Sequence, residues 1–277
     1  MFYHDSKLQY KVEVEKPNPH FARMLQQAIG GIEGEIRVCL QYLFQSWGCR
    51  GEKKYRDLLL ETGTEEISHI EMLSTAVALN LEEALHETKQ NMSAHPVMGA
   101  MMAGMDSRHI LSSGLAALAS DSNGVPFSGS WIVSTGNLAA DMYANITAES
   151  SGRLLATRLY EMTEDAGMKD MLSFLIARDT MHQNQYAAVL DELKQQGDVL
   201  PIPNSFPQSM ENQDFNYTFV STQVDGDPEP LARWTSGTSI DGKGEFKYNR
   251  MKPLGGEPNL KPLRADLHAQ NEEQPKV

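Results

Sequence analysis

The sequence predicts an all-α fold, a four-helix bundle with one long crossover, which is followed by an extended irregular C-terminal tail. The first observation is that apolar residues recur at steps of three and four in four long segments, the spacing of one buried helix face. The second is that short turns join the first segment to the second and the third to the fourth, while a long stretch separates the two pairs. The third is that the last part of the chain has no helical period and carries nine of the thirteen prolines.

The first two predicted helices follow an N-terminal segment of residues 1–18. The first helix runs from about Pro19 to Trp47, because Asn18 is a suitable cap and proline is favoured in the first turn of a helix. The stretch from Gly48 to Gly51 ends it. The second helix covers about Lys53 to Asn80, and the short turn between the two makes them antiparallel neighbours.

The crossover covers about Leu81 to Gly136. It contains Gly, Pro and Ser in several short groups, and its one helix candidate lies near Ser107 to Ala119. Four methionines in its middle have a spacing that suits adaptable packing between helices better than a soft metal site. These methionines are Met98, Met101, Met102 and Met105.

The helical pattern returns in two further segments, about Asn137 to Met162 and about Lys169 to Gln196, with Gly167 interpreted as the turn between them. Helix, turn, helix, long crossover, helix, turn, helix is the connectivity of ferritin-like bundles. The predicted bundle domain therefore spans residues 19–197.

The C-terminal tail, residues 198–277, is too long for an ordinary loop in a compact domain, and such segments are usually functional or wrapped on another surface. Its aromatic residues would serve as anchors, so we expect the tail to pack along its own bundle and to clasp neighbouring subunits. The anchors are Phe206, Phe215, Tyr217, Phe219, Trp234, Phe246 and Tyr248.

The composition narrows the class of protein. The 277 residues have 40% hydrophobic content, enough for a core, and a formal net charge of -13 with no run of Lys or Arg. Nucleic-acid surfaces need clustered basic residues, so we expect no nucleic-acid partner. No segment offers about 18 uninterrupted apolar residues or the pattern of a signal peptide, so we expect no membrane span and a cytoplasmic location.

Cys39 and Cys49, ten residues apart in one predicted helix, would lie roughly 15 Å apart, too far for a disulfide.

One spacing occurs twice. Glu35 is followed 31 residues later by Glu66 and then by His69, and Glu149 is followed 30 residues later by Asp179 and then by His182. Residues three apart share one face of a helix, so each acid-x-x-His pair aims a carboxylate and an imidazole at one point. These six residues take positions of the apolar seams where Leu or Ile is expected.

Buried ionised carboxylates are costly unless a positive charge compensates them, and a pair of divalent metal ions would do so. A single acid-x-x-His match is more often an accident on a solvated face, but two matches in type, spacing and phase favour the metal site. Sites rich in oxygen with one imidazole per ion suit manganese or iron. Tyr42, two turns from Glu35, is a candidate to bond a ligand carboxylate or bound solvent, whereas Cys39 is interpreted as a packing residue.

The chain resembles the manganese catalases, non-haem enzymes that disproportionate hydrogen peroxide, over nearly its whole length. The resemblance implies two manganese ions per subunit that cycle between Mn(II) and Mn(III) pairs. The segments that carry it are MFYHDSKLQY, LQQAIGGIEGE, YRDLLLETGTEEISHIEMLST, MMAGMD, GNLAADM, ITAES, LYEMTEDAGMKDMLSFLIARDTMHQ and GGEPNLKP.

The resemblance also implies roles for the six residues. Glu35 and His69 would ligate one manganese, Glu149 and His182 the other, and Glu66 would bridge both. Asp179 takes the position of a carboxylate thought to move protons, where glutamate is common in the family, and it is the candidate catalytic acid and base. Some members carry an arginine at the position of Ala148 that narrows the entry, so the width of the entry channel here is left open.

Members of this family tend to be hexamers whose C-terminal tails clasp neighbouring subunits, so a homo-hexamer is expected. A calcium ion at the subunit contact is also known in the family, and Asp57 and Glu61, one turn apart, match its acidic part. The matching loop near Thr222 to Asp227 lacks the polar residues such a site needs, and the alternative is a pair of solvated acids.

Three other functions remain open from the sequence. An iron store would use the same bundle but would not need this tail. A structural protein of a coat or shell assembly is compatible with the chain, with or without catalysis. An oxygen-activating di-iron enzyme is disfavoured, because Asp179 breaks the second Glu-x-x-His that such sites generally have.

Overall fold

The computed structural model describes residues 5–82, 104–197, 199–223, 232–250 and 252–260, and these are mostly helical. The chain divides into two compact units, Met1–Ser205 and Phe206–Val277. The first unit contains a ferritin-like bundle with one long crossover, as predicted. Its helices are α1 (Pro19–Gly30), α2 (Glu35–Gly48), α3 (Lys53–Leu81), α4 (Arg108–Leu111), α5 (Leu138–Glu161) and α6 (Ala166–Gln196).

The first predicted helix is divided in two, so the single helix from Pro19 to Trp47 is wrong. α1 begins as expected, with the Asn18 side chain accepting a hydrogen bond from the Phe21 amide. It ends because Gly31 is extended and because the crossover passes close by: a Cβ on Gly30 would lie 2.4 Å from the Ser120 backbone nitrogen. A new helix can then begin at Glu35, its first residue.

The interpretation of Gly167 as a turn is also wrong, because it lies in the first turn of α6. Asp165 caps this helix by accepting a hydrogen bond from the Met168 amide at 3.0 Å. A Cβ on Gly167 would lie 2.3 Å from the Glu13 carbonyl oxygen. The glycine therefore permits a close contact between the N-terminal segment and α6.

In the crossover, the helix predicted for Ser107 to Ala119 is only the four-residue α4. Gly114 and Leu115, with φ of 61° and 71°, have left-handed backbone conformations that no α-helix can include. A 3-10 turn follows at Gly129–Trp131. Met105 is buried in the core, as its interpretation as a packing residue requires, whereas Met98, Met101 and Met102 lie outside the described residues.

Glutamine amides of α1 and α2 hold the crossover in place. Gln26 bonds the backbone of Leu118 through both its oxygen and its nitrogen. The Gln41 oxygen accepts from the Val133 amide at 3.0 Å, and the Gln45 nitrogen donates to the Val133 carbonyl at 2.8 Å. These bonds satisfy backbone groups that would otherwise be buried without partners.

The N-terminal segment is extended over its described part. Its even-numbered side chains pack against the core formed by α1, α3 and α6, and the odd-numbered side chains between them are exposed. The inward side chains are Leu8, Tyr10, Val12 and Val14. This alternation is the period of an extended strand laid on an apolar surface.

The second unit contains a small sheet that the sequence did not predict. Its strands are β1 (Thr218–Ser221), β2 (Gly237–Thr238) and β3 (Glu245–Arg250), and β3 lies between a parallel β1 and an antiparallel β2. Phe219 and Tyr248, two of the predicted anchors, stack on each other within this unit, with ring centroids 5.6 Å apart. Contact between the tail and neighbouring subunits stays a prediction.

The bundle core consists of two apolar clusters separated by a polar layer. On α3, one cluster includes Tyr55 and Leu59 and the other begins at Met72. On α6, the order is reversed, with Leu175 in one cluster and Tyr186 in the other. The intervening turns carry the residues of the repeated motif. No helix in the described part of the chain is long and apolar enough to cross a bilayer.

Candidate metal centre

Four helices deliver the residues of the repeated motif to the polar layer. Glu35 begins α2, where the positive end of the helix dipole favours a carboxylate. Glu66 and His69 lie one turn apart on α3, Glu149 lies on α5, and His182 lies on α6. All but Glu35 are buried.

These five side chains form two groups that share one carboxylate. Ligand atoms of Glu35, Glu66 and His69 lie within 4.8 Å of one another, and so do those of Glu66, Glu149 and His182. One Glu66 oxygen lies 2.6 Å from Nδ1 of His69, and the other lies 3.0 Å from Nδ1 of His182. The predicted bridging residue is therefore placed between the two imidazoles.

Several of these atoms are buried without a hydrogen-bond partner among the described residues. They include Oε1 of Glu66 and Nδ1 of both histidines. The atoms are close to one another but are not aligned as donor and acceptor. Buried polar atoms that converge in this way and remain unpaired fit metal ligands, because a cation at their centre would satisfy them together.

Without a cation the charges of the layer must be balanced by protons. Burial raises the pKa of Glu35 well above its usual value, and Glu66 adds to the rise. Burial would also raise the pKa of Glu66, but the two imidazoles outweigh it and lower that pKa to about 2. Burial lowers the pKa of His182, yet the surrounding carboxylates raise it to about 12. Burial also lowers the pKa of His69, but Glu66 and the other carboxylates raise it well above its usual value. In the metal-free chain the two imidazoles therefore supply positive charge that divalent ions would otherwise bring.

Asp179 lies on α6, buried, one turn before His182. It is not part of either ligand group among the described residues. Burial, followed by the charges of Glu149 and Glu66, raises its pKa to about 8. The structure thus places it beside the five ligand candidates but outside their set, as a buried carboxyl group with a raised pKa.

Tyr42 donates a hydrogen bond from its hydroxyl to Oε1 of Glu149. Its ring lies against the ring of Tyr186, with centroids 5.2 Å apart, and both tyrosines are fully buried. The bond supports the interpretation of Tyr42 as an orienting neighbour of a ligand. Burial raises the pKa of Tyr42 well above its usual value, so the phenol stays neutral and acts as a donor.

Glu65 is a residue of the site that the sequence analysis missed. Its Oε2 lies 3.2 Å from Nε2 of His182, and its Oε1 lies 3.7 Å from Nε2 of His69. Arg178 binds both oxygens of Glu65, at 2.7 and 3.2 Å. Glu65 is thus within hydrogen-bond distance of Nε2 of His182 and is the nearby charge on the Nε2 side of His69, while Nδ1 of each imidazole faces Glu66. The only sequence signal was its spacing of four residues from His69, which is also common on solvated helix faces.

Two other candidates are not brought into a ligand group. Asp57 pairs with Lys53 at 2.5 Å and lies 3.8 Å from Arg56, and Glu61 is exposed on α3. The two cysteines are a separate matter, because neither was a ligand candidate. Cys39 is a free thiol that donates to the Gly63 carbonyl at 3.4 Å. Burial raises its pKa to about 12, so it stays a thiol and packs as predicted. Cys49 is also free and lies just beyond the end of α2.

Comparisons with known proteins identify the family to which the chain belongs. The family model described as manganese containing catalase matches residues 1–275. The chain is 44% identical to a manganese catalase of Bacillus subtilis, with 97% of both chains covered. It is also 44% identical to the uncharacterised protein YjqC of Bacillus subtilis strain 168, again over 97% of both chains. The fold is similar to the crystal structure of KatB, a manganese catalase from Anabaena, with a TM-score of 0.69 and 24% identity over 90% of this chain and 99% of that chain. The chain therefore belongs to the manganese-containing catalase family, and it is a manganese-dependent, non-haem catalase.

Proposed function

We propose that this chain disproportionates hydrogen peroxide to water and oxygen at a centre of two manganese ions per subunit. Glu35 and His69 would hold one ion, Glu149 and His182 would hold the other, and Glu66 would be shared by both. The observation that carries the proposal is the position of Glu66, whose two oxygens each lie within 3.0 Å of the Nδ1 atom of one histidine.

The donor set fits manganese. Each ion would have carboxylate oxygens and a single imidazole nitrogen, a combination that suits manganese or iron better than zinc or copper. When bound, the manganese pair supplies the redox chemistry, accepting two electrons from one peroxide and returning them to another. The protein supplies the anionic ligands, a fixed spacing and control of protons.

Access of peroxide is supported from the side of Glu35. Its side chain is 15% exposed, whereas those of Glu66 and Glu149 are 1% and 3% exposed. We infer that peroxide approaches from this side, since apolar clusters lie on either side of the polar layer. Ala148 is buried next to Glu149 and has no side chain that could narrow an entry.

Asp179 handles the protons in this proposal. Cleavage of the O–O bond requires a proton donor, and the oxidation of the second peroxide requires an acceptor. Asp179 is buried beside the ligands, and its carboxyl group is not needed to hold an ion. It can therefore give and take a proton through bridging solvent. Tyr42 and Glu65 keep Glu149 and the two histidines in place.

Glu66→Gln tests the ligand set directly. The amide keeps the size of the side chain but cannot bridge two cations, so we expect both manganese ions to be lost from purified protein. Glu71→Gln is the matched control, since Glu71 is exposed on the same helix. Retention of two manganese ions by Glu66→Gln would exclude Glu66 as the bridge.

The assembly is the second part of the proposal: a cytoplasmic homo-oligomer, a hexamer, with the tail in contact with neighbouring subunits. Phe44 and Trp47 support a subunit interface, because they form an edge-to-face pair on α2 and each is 50% exposed. Deletion of the residues after Gly197 should give smaller species on a sizing column. Incorporation into a larger coat or shell would be compatible with this and would not depend on the metal.

Calcium at a subunit contact would use Asp57 and Glu61, which lie one turn apart on α3. The ion would have to displace Lys53 from its pair with Asp57. Metal analysis of protein dialysed against calcium, compared with Asp57→Asn, tests this: equal calcium in both would exclude the site.

A further inference from the structure

The N-terminal segment from residue 8 to residue 16, here the N-terminal strap, lies across α3 and α6 close to the metal centre. It is fastened at its far end by Asp165, which accepts from the backbone amides of Glu15 and Lys16 at 2.8 and 3.2 Å. Lys11 forms an ion pair with Asp170 at 2.8 Å. These contacts, together with the inward apolar side chains, hold the strap on the bundle without any help from the metal centre.

Two further contacts of the strap lead to the histidines. The side-chain nitrogen of Gln9 donates to Oε1 of Glu65 at 2.8 Å. Glu65 in turn faces the outer nitrogens of His69 and His182. Gln9 and Arg178 together supply the hydrogen bonds that fix the carboxylate from outside. The Gln9 amide is thus one residue removed from both imidazoles.

Tyr10 makes the second contact. Its ring stacks on Phe174 of α6 with centroids 4.5 Å apart and an interplanar angle of 7°. Phe174 meets the ring of His69 edge to face, with centroids 6.4 Å apart. The Tyr10 hydroxyl also donates to Asp170 at 3.1 Å. The strap therefore supports the imidazole of His69 through ring packing, and its hydrogen bond to Glu65 leads on to the imidazole of His182.

We propose that Gln9 and Tyr10 are positioning residues of the dimetal centre, which hold the two histidine ligands in orientation through Glu65 and Phe174. The inference rests on the proposed ligand set. An imidazole ligand needs a partner on its other nitrogen to fix its tautomer and ring plane, and loss of such a partner typically costs about 10–100-fold in metal affinity or activity. Gln9 contacts Glu65 and not a histidine, so we expect the loss of metal affinity on its removal to lie at the lower end of this range.

The test is the rate at which manganese is lost to a chelator, measured on full-length holoenzyme. Gln9→Met keeps the length of the side chain and removes the amide donor, and manganese should be released several-fold to about 10-fold faster than from wild type. The visible absorption of the oxidised manganese pair should shift as well. Glu13→Gln is the matched control, because Glu13 is an exposed strap residue whose side chain is not among the contacts that lead to the histidines, and its release rate should equal that of wild type.

Tyr10 gives a second, independent arm. Tyr10→Phe keeps the stack on Phe174 and should retain the wild-type absorption, whereas Tyr10→Leu should change it. Thermal unfolding of the metal-free variants measures how far each substitution destabilises the strap, so an effect on the metal centre can be distinguished from a general loss of stability.

The proposal is overturned if Gln9→Met releases manganese at the rate of wild type, or if release by all strap variants simply follows their loss of metal-free stability. If wild type itself holds no manganese, the proposed function fails instead. If wild type holds two ions and Gln9→Met releases them normally, only the strap proposal fails.

Discussion

Glu66 is the residue on which both halves of the centre depend. It is 1% exposed and lies between two imidazoles, a position in which its negative charge is tolerable only with positive charge on both sides. Protonated histidines supply that charge without metal, and two divalent ions would supply it in the loaded enzyme. Glu149 and Glu65 are carboxylates that also need partners, and they have them in the Tyr42 hydroxyl and the Arg178 guanidinium.

Asp179 is predicted to act in proton transfer and not in metal binding. Asp179→Asn should leave the manganese content unchanged and reduce turnover by about 10²–10⁴-fold, the usual contribution of a general acid or base. Metal analysis and oxygen release from peroxide measure the two effects on the same sample.

Asp191→Asn is the control for this experiment, because Asp191 is exposed on α6. Its activity should equal that of wild type. Full turnover by Asp179→Asn would remove Asp179 from the mechanism, and loss of manganese would make it a ligand.

The ligand candidates could be predicted from the sequence because a repeated spacing marks them within apolar seams. Glu65 could not be predicted, because it is adjacent to Glu66 and its position in the sequence is that of an ordinary acidic residue on the solvent side of α3. Its role depends on Arg178 from another helix and Gln9 from the N-terminal strap, and no local pattern records such contacts. Asp179 could be singled out only because it breaks the symmetry of the repeat.

The order of the bundle helices and most of their ends were predictable, since each has a long periodic seam, but the division of the first helix into two was not. The errors lie where a distant segment touches a glycine. Gly30 meets the crossover at Ser120, which divides the first helix, and Gly167 meets the N-terminal strap at Glu13. At Gly167 the local glycine signal predicts a turn, and at Gly30 the apolar period predicts a continuous helix; in neither case does the local pattern record the tertiary contact.

Gly167→Ala tests this explanation at α6. Alanine favours a helix by up to about 1 kcal/mol over glycine. Here, however, its Cβ would collide with the backbone of Glu13. Because overpacking of this kind costs about 1–3 kcal/mol, we expect a net loss in the free energy of unfolding, measured by urea titration.

Gly152→Ala is the matched substitution on α5. A Cβ there would lie 3.5 Å from the Glu33 carbonyl oxygen, an ordinary contact. We expect no loss, or a gain of up to about 1 kcal/mol. If Gly167→Ala is as stable as Gly152→Ala, the close contact with the N-terminal strap is not what selects glycine.

The molecule as a whole carries a layer of buried charge between two apolar clusters, and its stability should therefore depend on pH and metal together. In the metal-free chain the pKa of Asp179 is raised from 3.8 to about 8, and that of His182 from 6.5 to about 12. Both groups bind a proton more tightly in the folded chain than in the unfolded one. Their contribution is complete at low pH and is lost as pH rises.

The metal-free protein should therefore have a lower melting temperature at pH 8 than at pH 6.5. The lowered pKa of Glu66 acts in the opposite direction, but only below its usual value of 4.5. Manganese replaces these protons, so in the loaded protein the decrease should shrink or reverse. Calorimetry of both forms measures this. A melting temperature of the metal-free protein that rises from pH 6.5 to 8 would contradict the description of the charge layer.

The most direct test of the whole account is metal analysis of the purified chain combined with oxygen release from hydrogen peroxide. We expect nearly two manganese ions per chain and oxygen evolution that is lost when the metal is removed and regained when manganese is returned. Iron in place of manganese, without oxygen evolution, would contradict it.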